Sequence, residues 1–131
     1  MKIRLCKLLL LIGIFSALPL VVYAHHSWSE YDAKIQVLIT GTVSKVEWKS
    51  PHARLYVDVV EAGGQTVNWN IELPSPNTLM RRGWKRHDVQ AGDQVQVTGI
   101  RARNYPHIGI ATSVLDGDGA AMFSGTVTPN E

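Results

Sequence analysis

The chain has 131 residues, 45% of them hydrophobic, with 13 Lys and Arg against 11 Asp and Glu for a formal charge of +2. Its one cysteine, Cys6, excludes a disulfide framework and a Cys/His zinc spacing. The small charge excess sits largely in the first residues, so it does not mark the protein as nucleic-acid binding.

Lys2, Arg4 and Lys7 form a basic start, residues 8–22 are apolar, and Val22-Tyr23-Ala24 places small residues at the −3 and −1 positions of a secretory cleavage site. The apolar run is short for a bilayer span. We expect residues 1–24 to be a signal peptide cleaved after Ala24; an uncleaved anchor is the competing reading. Cleavage removes three basic residues, leaving 10 against 11 acidic ones and a formal charge of −1. Export to an oxidising compartment without disulfides suits a bacterial periplasmic domain. The remaining length is enough for one core.

Residues 25–34 are polar and aromatic without periodicity and read as an N-terminal arm. From Val37 to Val43 apolar and polar residues alternate at the spacing of a strand. At Ser44-Lys45 the phase slips and Val46 and Trp48 become the apolar positions, as a β-bulge produces. A corner at Ser50-Pro51-His52 leads to a second strand, with Leu55, Val57 and Val59 on one face and Arg54, Tyr56 and Asp58 on the other. After a Gly63-Gly64 hairpin, a third strand points Val67, Trp69, Ile71 and Leu73 inward and Asn68, Asn70 and Glu72 outward.

The helix signals are Ser75 as cap, Pro76 at the first position, Leu79 and Met80 as apolar stripe, and Gly83 as stop. Trp84 is expected to pack beneath it. A fourth strand covers 94–103 with a bend at Gly99, and a fifth covers about 108–115. Asp116-Gly117-Asp118-Gly119 reads as a hairpin turn, since it lacks the further ligands of a calcium loop. Residues 121–123 can add a short closing strand, and 124–131 form a tail. This order predicts a mainly β fold over 35–123, a five-stranded OB-fold-like Greek-key barrel with one helix between strands three and four.

Five strings stand out: AHHSW at 24–28, EYD at 30–32, TGTVSKVEWKSPHARLYVDV at 40–59, NWNIELPSPNTLMRRGW at 68–84 and GDQVQVTG at 92–99. Together they resemble a family of small exported bacterial proteins of unknown function. The resemblance covers nearly all of the chain after residue 24. It implies export and a small β-barrel, and it brings no reaction, cofactor or partner.

Histidines are the strongest chemical lead. After cleavage His25 carries a free α-amino group beside its imidazole, and with His26 it can chelate a borderline metal. A third nitrogen from His52 at the strand corner, or from His107 as second choice, completes a set suited to copper. Against this, the terminal pair can be solvated and His52 can simply brace the corner. Trp48, Tyr56 and Trp69 on neighbouring strands suggest an aromatic platform, although Trp69 has the phase of a core residue. Arg81, Arg82, Lys85 and Arg86 form a basic cluster that reads as an anion site or a solvated helix face. Glu72 can pair with Arg82 or Arg54, which makes those charges structural.

No nucleophile elbow, phosphate loop or paired carboxylates mark an enzyme. The expectation is a periplasmic binding module without catalysis. In one form it holds copper or a similar ion at His25, His26 and His52. In the other, the barrel face (Trp48, Arg54, Tyr56) and Arg82 bind a periplasmic protein partner or an anionic glycan. Neither form involves nucleic acid or stable membrane insertion after cleavage.

Overall fold

The computed structural model describes residues 30–125. Six strands and one helix occur among them: β1 (Tyr31–Glu47), β2 (Arg54–Val60), β3 (Thr66–Glu72), α1 (Pro76–Arg81), β4 (Gln94–Ala102), β5 (Ile108–Asp116) and β6 (Ala121–Ser124). The strands hydrogen-bond in the order β3-β2-β1-β4-β5-β6. A parallel pairing of β3 with β5 closes the sheet into a barrel. A closed five-strand order with the helix between β3 and β4 is the OB-fold, and β6 adds a sixth strand at the edge of β5.

β1 serves both halves of the barrel, pairing with β4 from Gln36 to Thr42 and with β2 from Thr42 to Glu47. Its phase slip is a bulge between Val43 and Lys45, where Ser44 is the extra residue. Gly41 lies beside the bulge and lets the strands close up, since a Cβ there would meet the Asp58 carbonyl oxygen at 2.2 Å. A second irregularity falls between Thr98 and Gly99, at the bend expected in strand four. Because the side-chain period is two, these shifts decide which residues reach the core.

The core is the inward set of all the strands together with the helix. Leu55, Val57, Ile71, Leu73, Leu79 and Trp84 are each 2% exposed or less. Truncating one of the large aliphatic members to Ala typically costs about 2–5 kcal/mol. The Ser75 side chain accepts from the Thr78 amide, Pro76 occupies the first turn, and Gly83 takes φ +93° just past the helix end.

Three expectations need correction. The first strand begins at Tyr31, inside the stretch 25–34 read as an arm, because Tyr31 pairs with Ala102 ahead of an irregular stretch that ends at Gln36. Only Leu79 of the expected helix stripe is buried, while Met80 is 52% exposed, because six residues of helix present too narrow a face for both. Glu72, in the outward phase of β3, is 5% exposed. The short closing strand expected at 121–123 is β6, a sixth strand beside the five of the barrel. Residues 1–29 and the tail from 126 onward lie outside the described residues, and with them the expected cleavage site.

Candidate functional site

The corner between β1 and β2 is held to the far end of β3 by backbone. The Ala53 amide donates to the Pro74 carbonyl at 3.3 Å, and the Leu73 amide donates to Ala53 at 2.9 Å. Ala53 itself is fully buried, and the Ser50–Pro51 bond is cis. His52 and Arg54, two positions apart, are thereby placed over the last residue of β3.

That residue is Glu72. Its carboxylate accepts from three donors on three separate segments. The His52 Nδ1–H lies 2.7 Å from Oε1, Arg54 Nη2 lies 3.1 Å from Oε2, and the Tyr31 hydroxyl lies 3.4 Å from Oε2. Arg54 also donates through Nη1 to the Asn70 side-chain oxygen at 3.0 Å. Asn70 and Glu72 share one face of β3, and both stand on the side that Arg54 reaches. A carboxylate this buried needs such donors, because an unpaired charge out of water is costly.

Burial pushes the Tyr31 phenol up to about 12, and the neighbouring Glu72 charge adds to the shift. Tyr31 therefore remains a neutral donor across the physiological range. Beside the cluster, the Tyr56 hydroxyl donates to Glu47 at 3.3 Å and the Lys45 ammonium pairs with the same carboxylate. That hydrogen bond from Lys45 holds the Glu47 carboxyl below the usual range and raises Lys45 in turn. Lys45 is exposed and Glu47 only partly covered, so the pair contributes little.

The structure brings together only some of the candidate residues. His52 and Arg54 meet at Glu72, and Tyr56 follows Arg54 on the same face of β2. Trp48 turns away to pack against the buried Trp84, with ring centroids 6.4 Å apart, and Trp69 belongs to the core at 9% exposure. The three aromatic rings therefore do not form one platform. Arg82 lies over the Phe123 ring at 5.3 Å, and Arg81 donates to the Thr78 hydroxyl. His107 stands edge-on to Trp69 at 5.4 Å and 3.5 Å from Glu61. Asp116 accepts from the Asp118 and Ala120 amides, which makes the expected hairpin turn.

Among the described residues no group of three or more His, Cys, Asp and Glu side chains is arranged to hold a metal ion. His25 and His26 lie outside those residues. Tyr31 and Asn70 are members of the cluster that the sequence did not single out. The usable signal was the alternation on β3, which puts Asn70 and Glu72 in register with Arg54.

Comparison with known proteins gives three results. The model of a family described as a family of unknown function (DUF6152) matches residues 15–111. No curated protein matches the chain. Among solved structures, the mitochondrial single-stranded DNA binding protein Rim1 of S. cerevisiae is similar at 15% identity and a TM-score of 0.49, over 63% of this chain and 92% of that one. Single-stranded DNA binding is stated of that protein.

Proposed function

The chain belongs to the DUF6152 family of unknown function, and from that premise we propose that it is an exported, non-catalytic module that binds copper or a similar borderline metal. The ligands in this reading are His52 and the two histidines His25 and His26, exposed by cleavage after Ala24.

One relationship carries the proposal: a single carboxylate holds both the strand corner and the start of β1. Glu72 receives His52 through one oxygen and Tyr31 through the other. His26 is five residues ahead of Tyr31. Five extended residues span at most about 17 Å, and the reading takes that length of chain to bring the pair back to the corner. The donor set also fits the metal class, since imidazole nitrogens suit copper, nickel and zinc. In this reading Nδ1 of His52 stays on Glu72 and the metal is taken by Nε2. A bound copper ion would supply Lewis acidity, and the residues here would supply orientation and charge balance.

The test is copper titration of the chain beginning at His25, followed by calorimetry. One equivalent is expected to bind, with affinity reduced at least tenfold in His52→Ala and in a chain carrying one extra residue ahead of His25. Equal affinity in the wild type and in variants of all three histidines would end the reading.

A second reading rests on a different feature. An open groove of about 240 Å³ beside Trp48 is lined also by Arg86, His87 and Gln90. Two side chains able to carry positive charge beside an indole suit an anionic glycan or an acidic segment of a protein partner. Heparin fragments serve as a probe. Quenching of tryptophan fluorescence that disappears in Arg86→Ala would favour this reading; quenching indifferent to Arg86 would remove it.

A further inference from the structure

We propose that the N-terminal half of β1 is a pairing edge whose occupant is the same strand of a second copy of this chain, running antiparallel about a two-fold axis close to Leu38. The pairing uses no residue of the metal reading and stands or falls apart from it.

Backbone polar groups along a strand alternate between its two edges. Val43 turns both of its groups to the β4 side, donating to the Asp93 carbonyl and accepting from the Gly92 amide at 2.8 Å each. Gly41, Ile39 and Val37 share that direction, because β1 and β4 run in unbroken register from Gln36 to Thr42. Thr42, Thr40, Leu38 and Gln36 therefore turn their amides and carbonyls to the other edge. There β2 takes Thr42, opposite Asp58, and its pairing with β1 goes no further toward the N-terminus. Among the described residues no strand meets that edge at Thr40, Leu38 and Gln36.

Native sheets guard an open edge with charge, proline, a bulge or brevity. From Ile35 to Val43 this strand carries no charged residue and no proline. The guards stand outside the stretch: Asp32 accepts the Lys34 amide at 3.0 Å, and the register with β4 is irregular between Tyr31 and Gln36. The open edge is thus bounded, by that capped turn at one end and by β2 at the other. Its outer side is apolar. Leu38 is 66% exposed, and Val60, just past Asp58 on the same side of the sheet, is 69% exposed.

The stretch complements itself, which selects a second copy as the occupant. With Leu38 opposite its own copy, Gln36 of each chain faces Thr40 of the other. β1 already meets β4 through that kind of pair, since Gln94 donates to the Thr42 hydroxyl at 2.6 Å and Gln96 to that of Thr40 at 3.5 Å. The Thr40 hydroxyl keeps a second lone pair and a proton for the new partner. The two Lys34 residues fall eight positions apart along the paired strands, roughly 26 Å, which is well beyond the screening length at physiological salt. No like charges meet. A strand of another protein would fit the same backbone row, but nothing on the edge selects its side chains.

The test uses the chain beginning at His25, which keeps every described residue and contains no cysteine. Sedimentation equilibrium from low to high micromolar concentration is expected to show monomer passing to dimer. Leu38→Lys sets two ammoniums side by side at the axis, and Gln36→Pro removes one outward amide from each copy. Each is expected to raise the dissociation constant at least about tenfold, with the far-ultraviolet circular dichroism unchanged. Leu38→Cys reads the geometry directly. Opposed, hydrogen-bonded residues of an antiparallel pair have Cα atoms about 5.5 Å apart, inside the range a disulfide spans. Mild oxidation should link Leu38→Cys chains and leave Met80→Cys, exposed on the helix, unlinked.

A wild type that stays monomeric at every concentration overturns the proposal, even where the edge accepts a strand of another protein. A dimer that Leu38→Lys leaves intact, with no Leu38→Cys cross-link, also overturns it, because the interface then lies elsewhere. Should Gln36→Pro fold poorly, the two Leu38 variants decide.

Discussion

Arg54 and Glu72 stand directly opposite one another across the β2–β3 ladder, and the guanidinium meets the carboxylate at 3.1 Å. Cross-strand partners of opposite charge are ordinary on a solvated sheet. Here one member is buried, and the consequence is asymmetric.

Removing Arg54 alone leaves Glu72 with its charge uncompensated by any guanidinium. Breaking a fully buried pair typically costs about 3–5 kcal/mol; the Arg54 side chain is 27% exposed, so Arg54→Ala is expected to cost about 2–3 kcal/mol. Replacing both by Met should recover most of that loss, because the uncompensated charge is gone. Urea denaturation of the two variants decides it. A single variant as stable as the wild type would mean that the pair contributes nothing.

Tyr31 should titrate late. Its folded-state value is raised from 10.0 to about 12, so phenolate absorbance should show a step near pH 12, and Tyr31→Phe should abolish that step. The sign for stability follows. Below pH 10 the phenol is neutral in both states and its contribution is fully present; between about 10 and 12 the unfolded chain ionises first, and the contribution is lost. Tyr31→Phe should therefore lose less stability over that interval than the wild type does.

Two glycines should resist substitution for reasons of space. A Cβ at Gly41 would lie 2.2 Å from the Asp58 carbonyl oxygen, and one at Gly99 would lie 2.2 Å from that of Ile110. Both neighbours are backbone in paired strands and cannot move cheaply. Gly41→Ala and Gly99→Ala are each expected to cost at least about 2 kcal/mol, read as a fall in the thermal midpoint. A midpoint within a degree of the wild type would show that the strands can separate there without penalty.

Arg101 should behave in the opposite way. Its Nε is buried and no acceptor meets it among the described residues. A buried donor left without a partner costs about 1–3 kcal/mol. Arg101→Met keeps the length of the stem and removes the donor, so the thermal midpoint should rise. A fall would mean that the guanidinium is satisfied by solvent.

Much of the barrel was readable because strands write their geometry into the order of residues. The slip at Ser44-Lys45 is the bulge between Val43 and Lys45, and the inward sets of β2 and β3 are buried as their alternation required. The cap at Ser75 and the turn at Asp116 were legible for the same reason, since each depends on residues within a few positions. Glu72 was not. Alternation assigns a side chain to a face of the sheet but does not say what lies over that face. The cover at Glu72 comes from Tyr31, 41 positions away, in a stretch with no period at all. The link from Glu72 to Arg54 was among the stated alternatives because the two residues lie on consecutive strands. The link to His52 depends on the backbone bonds that fold the corner over β3, and nothing in the local sequence encodes those.

The barrel has a weakest rung. β3 and β5 run in the same direction and meet only at Asn70–Ile108, Ile71–Gly109 and Glu72–Ile110, whereas β1 and β4 zip together over a much longer stretch. Breathing motions that part the wall will therefore begin at this short zipper. Glu72 sits on its last tooth, so whatever grips the imidazole beside it also staples the cylinder shut, and amide hydrogens along those three rungs should exchange more slowly once that grip is made.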